Sequence, residues 1–394
     1  MKKLLSILFF VSSFLLVVVD AQEKMTSLYL YKEKVEVISP LPPPPLDTLL
    51  PEVVMQFVET IDSNYMSPYL SALKNYKAVH HPDDWLYYQL VREVAQLLSP
   101  KEQNYNRYTL YKWWLLIHSG YDAKLTYSGA YLLFYIQSDQ TVYNIPYREM
   151  NGKSYVCLNY HDYGNIDFEK WHFNEIPLPL PNNVVPFSYA INRLPELSDT
   201  AYTTKNIVYE DGDQHYHFEV KLADRIKAIF KNYPVVDYSL QFNIPFSAVT
   251  YKSLIPELKV HIKKMKSKDG VDFLMHFTRY AFLFKTDTEV FGSEKRFSPE
   301  QTLLYDYSDC EDRSALFFYL VKEIYNLPML VLVYPNHVTV AVQFAKPIGN
   351  TVDYNGLKYS ICEPSPQRYD LQIGEQLPEM KKKQYEVVYA YSPR

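Results

Sequence analysis

Glycine is scarce in this chain. There are 10 in 394 residues, roughly a third of the usual share. No G-x-G-x-x-G or Walker A string occurs, and few glycines leave few phosphate-cradling loops. The common nucleotide-binding classes are thereby disfavoured. Cysteine is nearly as rare: only Cys157, Cys310 and Cys362. A disulfide-stapled exported protein would carry more, usually an even number. Three leaves at least one thiol unpaired, either buried and inert or a nucleophile. An excess of positive charge is also missing. Lys and Arg number 40 against 45 Asp and Glu, a formal charge of −5, which gives no reason to expect nucleic acid as a partner.

What is abundant is aromatic. Tyr 38, Phe 21 and Trp 4 make up 16% of the chain. The apolar and charged shares, 47% and 22%, are those of a globular protein. The length suggests two or three domains. One apolar run stands apart, Leu4–Val19, preceded by Lys2 and Lys3 and followed by Val19-Asp20-Ala21. It reads as a signal peptide over 1–21, with cleavage after Ala21. It is short for a spanning helix, so no membrane span is expected after cleavage, and a periplasmic or secreted bacterial protein is. Losing two Lys and one Asp leaves the mature chain at −6.

The rest divides by composition. Residues 22–45 end in Pro40-Leu41-Pro42-Pro43-Pro44-Pro45 and read as a stiff tether, with folded structure expected from Leu46. Helical periodicity covers 47–62, 83–98 and 107–118, and strand-like runs cover 122–127, 130–137 and 154–159. Prolines crowd 166–245, where a hairpin is expected at 206–210 and 214–220 around Asp211-Gly212-Asp213. This stretch reads as a β-rich middle region. Helices return at 252–266, 269–283 and 310–325. Strands then follow at Met329–Tyr334, His337–Phe344 and Lys358–Cys362. The fold class is therefore α+β.

The chemistry concentrates at Ser308-Asp309-Cys310-Glu311-Asp312-Arg313. Cys310 opens a helix, where first-turn N–H groups and the macrodipole favour a thiolate. His337 opens a strand after a Pro-Asn turn. Glu363 closes the next strand, so adjacent strands can set the two side by side. Glu363 would orient the imidazole, and the imidazole would hold the Cys310 thiolate. Arg313 and Asp312 read as structural, Arg313 pairing with Asp309 or Glu294, and Cys362 as core packing.

These strings, DCEDRSALFFYLV, PNHVTVAV and YSICEPS, resemble the bacterial transglutaminase-like superfamily, as does the preceding FGSEKRFSPEQTLL. The resemblance covers roughly 246–380. It implies a papain-like core, with Cys310 as nucleophile and His337 as base and acid. Glu363 stands where the family typically has Asp before Pro, which keeps the carboxylate and adds a methylene. Residues 46–165 read as a worn copy of 246–394. A shift of 206 positions sets Arg313 on Arg107, Cys310 on Asn104 and His337 on Tyr131, and Glu363 falls near Asn159. An amide and a tyrosine supply no nucleophile and a poor base.

Weaker features read blandly. His215 and His217 share a strand face, His80-His81 lies in a loop, and Asp211-Gly212-Asp213 is a hairpin turn without the remaining calcium ligands. The expected function is an exported cysteine hydrolase or acyltransferase acting on peptide or isopeptide amides, with no metal or organic cofactor. The alternative is a non-catalytic transglutaminase-like binding or scaffold protein of the cell envelope.

Overall fold

The computed structural model describes residues 24–61, 66–164, 166–168, 170–292, 295–365 and 370–393. The expected signal, 1–21, lies outside them. Helices and antiparallel sheets are both extensive, and the class is α+β. Among the described residues no helix is long and apolar enough to cross a membrane.

Order begins earlier than the sequence suggests. Strands β1 (Met25–Leu30) and β2 (Glu33–Ile38) form a hairpin. Leu28, Leu30 and Val37 alternate into the core, which is the period-two pattern of a half-buried ribbon. Tyr31 donates its hydroxyl to the Leu86 carbonyl, and Tyr69 donates to that of Ile38. Of residues 22–45, the described part, 24–45, is therefore not a free tether: the hairpin is bolted to the helices, and the proline run leads from it to buried Leu46.

Helices α1 (Pro51–Ile61), α2 (Ser67–His80), α3 (Asp84–Leu98) and α4 (Tyr105–His118) follow. Helix α2 went unread, because its apolar face is thin: Tyr69, Leu73 and Tyr76. Helix α4 packs on α3 and on a sheet with strand order β5-β6-β4-β3-β7. These strands are β3 (Ala123–Ser128), β4 (Tyr131–Gln137), β5 (Tyr147–Met150), β6 (Lys153–Cys157) and β7 (Asn174–Glu175).

The middle region is poorer in strand than its composition implies. A hairpin of β8 (Thr203–Asp211) and β9 (Gln214–Leu222) dominates it, flanked by extended coil over 177–198. The many prolines there remove the N–H donors a sheet needs.

The last part repeats the first in plan. Helices α5 (Ala248–Ile262) and α6 (Ser267–Tyr280) precede α7 (Cys310–Tyr325). Ten consecutive residues of α7, Asp312 to Val321, are buried, against α6 and a second sheet. That sheet runs β12-β13-β11-β10-β14. Its strands are β10 (Met329–Tyr334), β11 (His337–Val342), β12 (Thr351–Tyr354), β13 (Leu357–Cys362) and β14 (Glu386–Tyr391). Both sheets are antiparallel throughout, with the same order of first, second, third, fourth and fifth strands. In each, one helix lies before the central hairpin and packs on it.

Candidate active site

The start of α7 is over-determined. Asp309 is its N-cap and accepts from the N–H groups of Glu311 (2.9 Å) and Asp312 (3.1 Å). The Asp312 carboxylate reaches back to the Asp309 N–H, completing a capping box. It also accepts from the Phe297 N–H at 2.9 Å. Arg313 is wholly buried and donates to Ser308 Oγ (2.8 Å) and to the carbonyls of Arg279 (2.8 Å) and Phe282 (2.6 Å). Its partners are thus mostly backbone. Glu294, its other expected partner, lies outside the described residues. Cys310 is the first helical residue, half-buried, and its own N–H is not taken by the cap.

The strands then set the acid against the imidazole. β11 and β13 pair with Val340 opposite Cys362. Continuing that register brings Glu363 opposite Thr339, near the start of β11. His337 Nε2 lies 2.6 Å from Glu363 Oε2, and both side chains are buried. The second carboxylate oxygen accepts from the Ser365 N–H at 3.2 Å. A carboxylate can only accept, so Nε2 carries the proton and Nδ1 keeps the lone pair. The thiol meets the same strand, because the Val338 N–H points at Cys310 and favours its ionised form. Ser314, one turn further along α7, bonds the Val338 carbonyl at 2.9 Å. Cys310 and the His337–Glu363 pair thus both lie against the first two residues of β11.

No family model matches this chain, and neither a curated protein nor a solved structure does.

The electrostatics run against the simplest thiolate picture. Burial pushes the Cys310 thiol up, and Asp309, Glu311 and Glu363 add to it, outweighing the Val338 N–H. Helix position alone suggested the opposite direction. Burial also raises Asp309, to about 6, and holds Asp312 well above the usual carboxylate range. The resting site therefore holds a neutral thiol.

One functional neighbour escaped the sequence. Arg279, on α6, is 1% exposed. It donates to the Glu363 carbonyl (2.6 Å), the Leu371 carbonyl (2.8 Å) and Asp370 Oδ1 (2.6 Å). The only signal was a lone Arg at helical spacing in an apolar stretch. Cys362 is fully buried in the main core. His215 and His217 face Glu210 and Asn206 on the exposed hairpin.

The first half places different groups at the same points. Its N-cap is Asn104, whose side chain accepts from the Arg107 N–H at 2.9 Å. Aligning the caps sets Asn104 on Asp309 and Tyr105 on Cys310, one residue off the sequence shift. Tyr105 bonds Asp162 at 2.7 Å. Tyr131 opens β4, and buried Asn159 bridges the Phe134 N–H and the Leu132 carbonyl, each at 2.8 Å. A cleft of about 600 Å³, lined by Lys101, Asn104, Tyr105, Ala130, Asp162 and Tyr163, opens there. A larger cleft of about 800 Å³, bordered by Arg193, Tyr202, Phe246, Tyr251 and Lys252, touches none of the three candidate residues.

Proposed function

We propose that this chain is an exported thiol hydrolase or acyltransferase of papain-like, transglutaminase-like design, acting on peptide or isopeptide amides through Cys310, His337 and Glu363. The observation that carries this reading is the buried 2.6 Å contact between His337 and Glu363 beside the helix that Cys310 opens. Glu363 fixes the imidazole tautomer with Nδ1 as base. Because the thiol rests protonated, the first step is general-base catalysis rather than attack by a stored thiolate. The Cys310 sulfur bonds the carbonyl carbon as its proton passes to His337 Nδ1. The C–N bond then breaks as that proton goes to the leaving amine nitrogen, leaving a thioester. Water adds to the thioester and releases the acid and the thiol, or an amine does so and gives a new amide. The free N–H of Cys310 is suited to the developing oxyanion. The first half is a copy of the same design without the triad.

The test is mass spectrometry of the mature chain with pools of peptide amides and isopeptides. An acyl adduct on Cys310, absent in Cys310→Ala, supports the reading, and so does a solvent isotope effect well above unity on its formation. One observation favours a second reading, a non-catalytic scaffold: burial, with the carboxylates around the thiol adding to it, holds it neutral. No adduct with any pool, together with alkylation of Cys310 no faster than that of a free cysteine peptide, establishes that reading instead.

A further inference from the structure

The hairpin tip at Asp211 does not end in solvent. Asp211 Oδ2 lies 2.8 Å from Nδ1 of His276, on α6. His276 is only 6% exposed. Asp370 approaches its other nitrogen, with Oδ1 3.3 Å from Nε2. Nδ1 therefore carries a proton donated to Asp211, while Nε2 makes no hydrogen bond. In a neutral imidazole that lone pair would face a carboxylate oxygen with nothing between them, which is repulsive. A second proton on Nε2 or a bound cation would fill the gap.

The charges agree. Asp211 and Asp370 are joined by Asp272, one turn before His276 on α6, whose buried Oδ1 also has no hydrogen-bond partner. Arg279 opposes them by its contact with Asp370, Lys268 lies close enough to act on Asp272, and Tyr280 donates its hydroxyl to Asp370 Oδ1 at 2.7 Å, so an ion there would share that oxygen with two donors. The distance is informative as well. Two ligands about 2.0–2.1 Å from a tetrahedral zinc lie roughly 3.3–3.4 Å apart, and the observed separation is 3.3 Å. A carboxylate holding the far nitrogen of a ligating histidine is the usual outer-shell support of such a site.

The geometry points to a divalent cation of the zinc class bound between His276 Nε2 and Asp370, with Asp211 holding the imidazole from behind. The three ligand-bearing groups lie within 4.8 Å of one another. Water completes the shell from the exposed side of Asp370. The ion joins the β8–β9 tip, α6 and the segment at 370. Through Asp370 it braces Arg279, whose other nitrogen carries the Glu363 carbonyl. The site does not depend on the thiol chemistry.

The test is calorimetric titration of chelator-stripped mature protein with zinc chloride. It is run on the wild type and on Cys310→Ala, since an accessible thiol also takes zinc. One zinc per chain at micromolar concentration is expected in both. Binding is lost in His276→Gln and falls about tenfold or more in Asp370→Asn and Asp211→Asn. Zinc raises the melting temperature of the wild type and leaves that of His276→Gln unchanged. Cobalt in place of zinc gives the intense visible bands of a four-coordinate centre. No binding up to millimolar zinc, or binding equal in wild type and His276→Gln, overturns the proposal and leaves a proton on His276 to fill the gap. Should His276→Gln fail to fold, the wild-type cobalt spectrum decides: pale six-coordinate bands overturn the site.

Discussion

The two sheet-and-helix halves share a strand order and differ in what stands at the helix start and the first central strand. In the second half, Asp309, Cys310, His337 and Glu363 meet there. In the first, Asn104, Tyr105, Tyr131 and Asn159 do. Both N-caps accept the N–H three residues on, so the local folding signal is kept whichever side chain follows it. The acid position differs most. Glu363 spends its carboxylate on an imidazole, whereas Asn159 spends both ends of its amide on the backbone of β4. The same place in the plan can therefore serve chemistry or stability. A buried amide satisfies two backbone groups without carrying charge, which is the cheaper use of the site where no reaction is needed.

The sharpest way to break this comparison is at the arginines that the sequence shift sets against each other. Arg313→Ala removes three buried hydrogen bonds and should cost about 3–5 kcal/mol in urea unfolding. Arg107, half-buried with one 3.4 Å bond to the Pro44 carbonyl, should cost about 0.5 kcal/mol or less. Equal losses would mean that the two helix starts are held alike.

Next comes chemistry. His337→Ala should slow acyl-adduct formation on Cys310 about a hundredfold or more, some 2.7 kcal/mol of barrier. Tyr131→Ala should leave that rate unchanged, and a matching drop would place Tyr131 in the reaction.

The halves should also respond oppositely to pH. Glu300, in the second, is buried with only Ser247 and Thr250 as partners, and burial raises it to about 7. A folded value above the unfolded one gives stability that is full at low pH and is lost as pH rises. About 2 kcal/mol should disappear between pH 5 and pH 7, and Glu300→Gln should flatten that slope. Lys112, in the first half, is 1% exposed over the Tyr108 ring, and burial lowers it to about 7. A folded value below the unfolded one penalises the charged form at neutral pH, and the penalty is relieved as pH rises toward 10. Lys112→Met should therefore stabilise by about 1–2 kcal/mol at pH 7. That gain should shrink by pH 10, as read from urea midpoints at the two values.

Much of this plan was legible in the sequence. Helices α3 and α7 declared themselves by periodicity, and the β10–β11 hairpin by its apolar runs around Pro335-Asn336. The convergence of His337 and Glu363 followed from strand adjacency. What escaped depends on distant contacts. The β1–β2 hairpin is short and finds its burial only against helices 30 to 60 residues away. β14 pairs with β10 across more than 50 residues. Arg279 reaches Glu363 and Asp370 across 84 and 91 positions. The direction of the Cys310 shift escaped for the same reason. Helix position argued for a thiolate, but burial and then three carboxylates decide it, and both are tertiary facts.

The placement of the three thiols has a consequence for the exported location proposed above. Cys157 is sealed in the first sheet and Cys362 in the second, both without exposed surface. Neither can reach the other or an oxidant without unfolding, so the chain carries no route to scrambled internal disulfides. Thiol oxidation should fall on Cys310 alone. Its raised pKa keeps the thiolate scarce and slows the first step to sulfenic acid. The burial and the carboxylates that deny the site a stored nucleophile also slow the oxidation of its one accessible thiol.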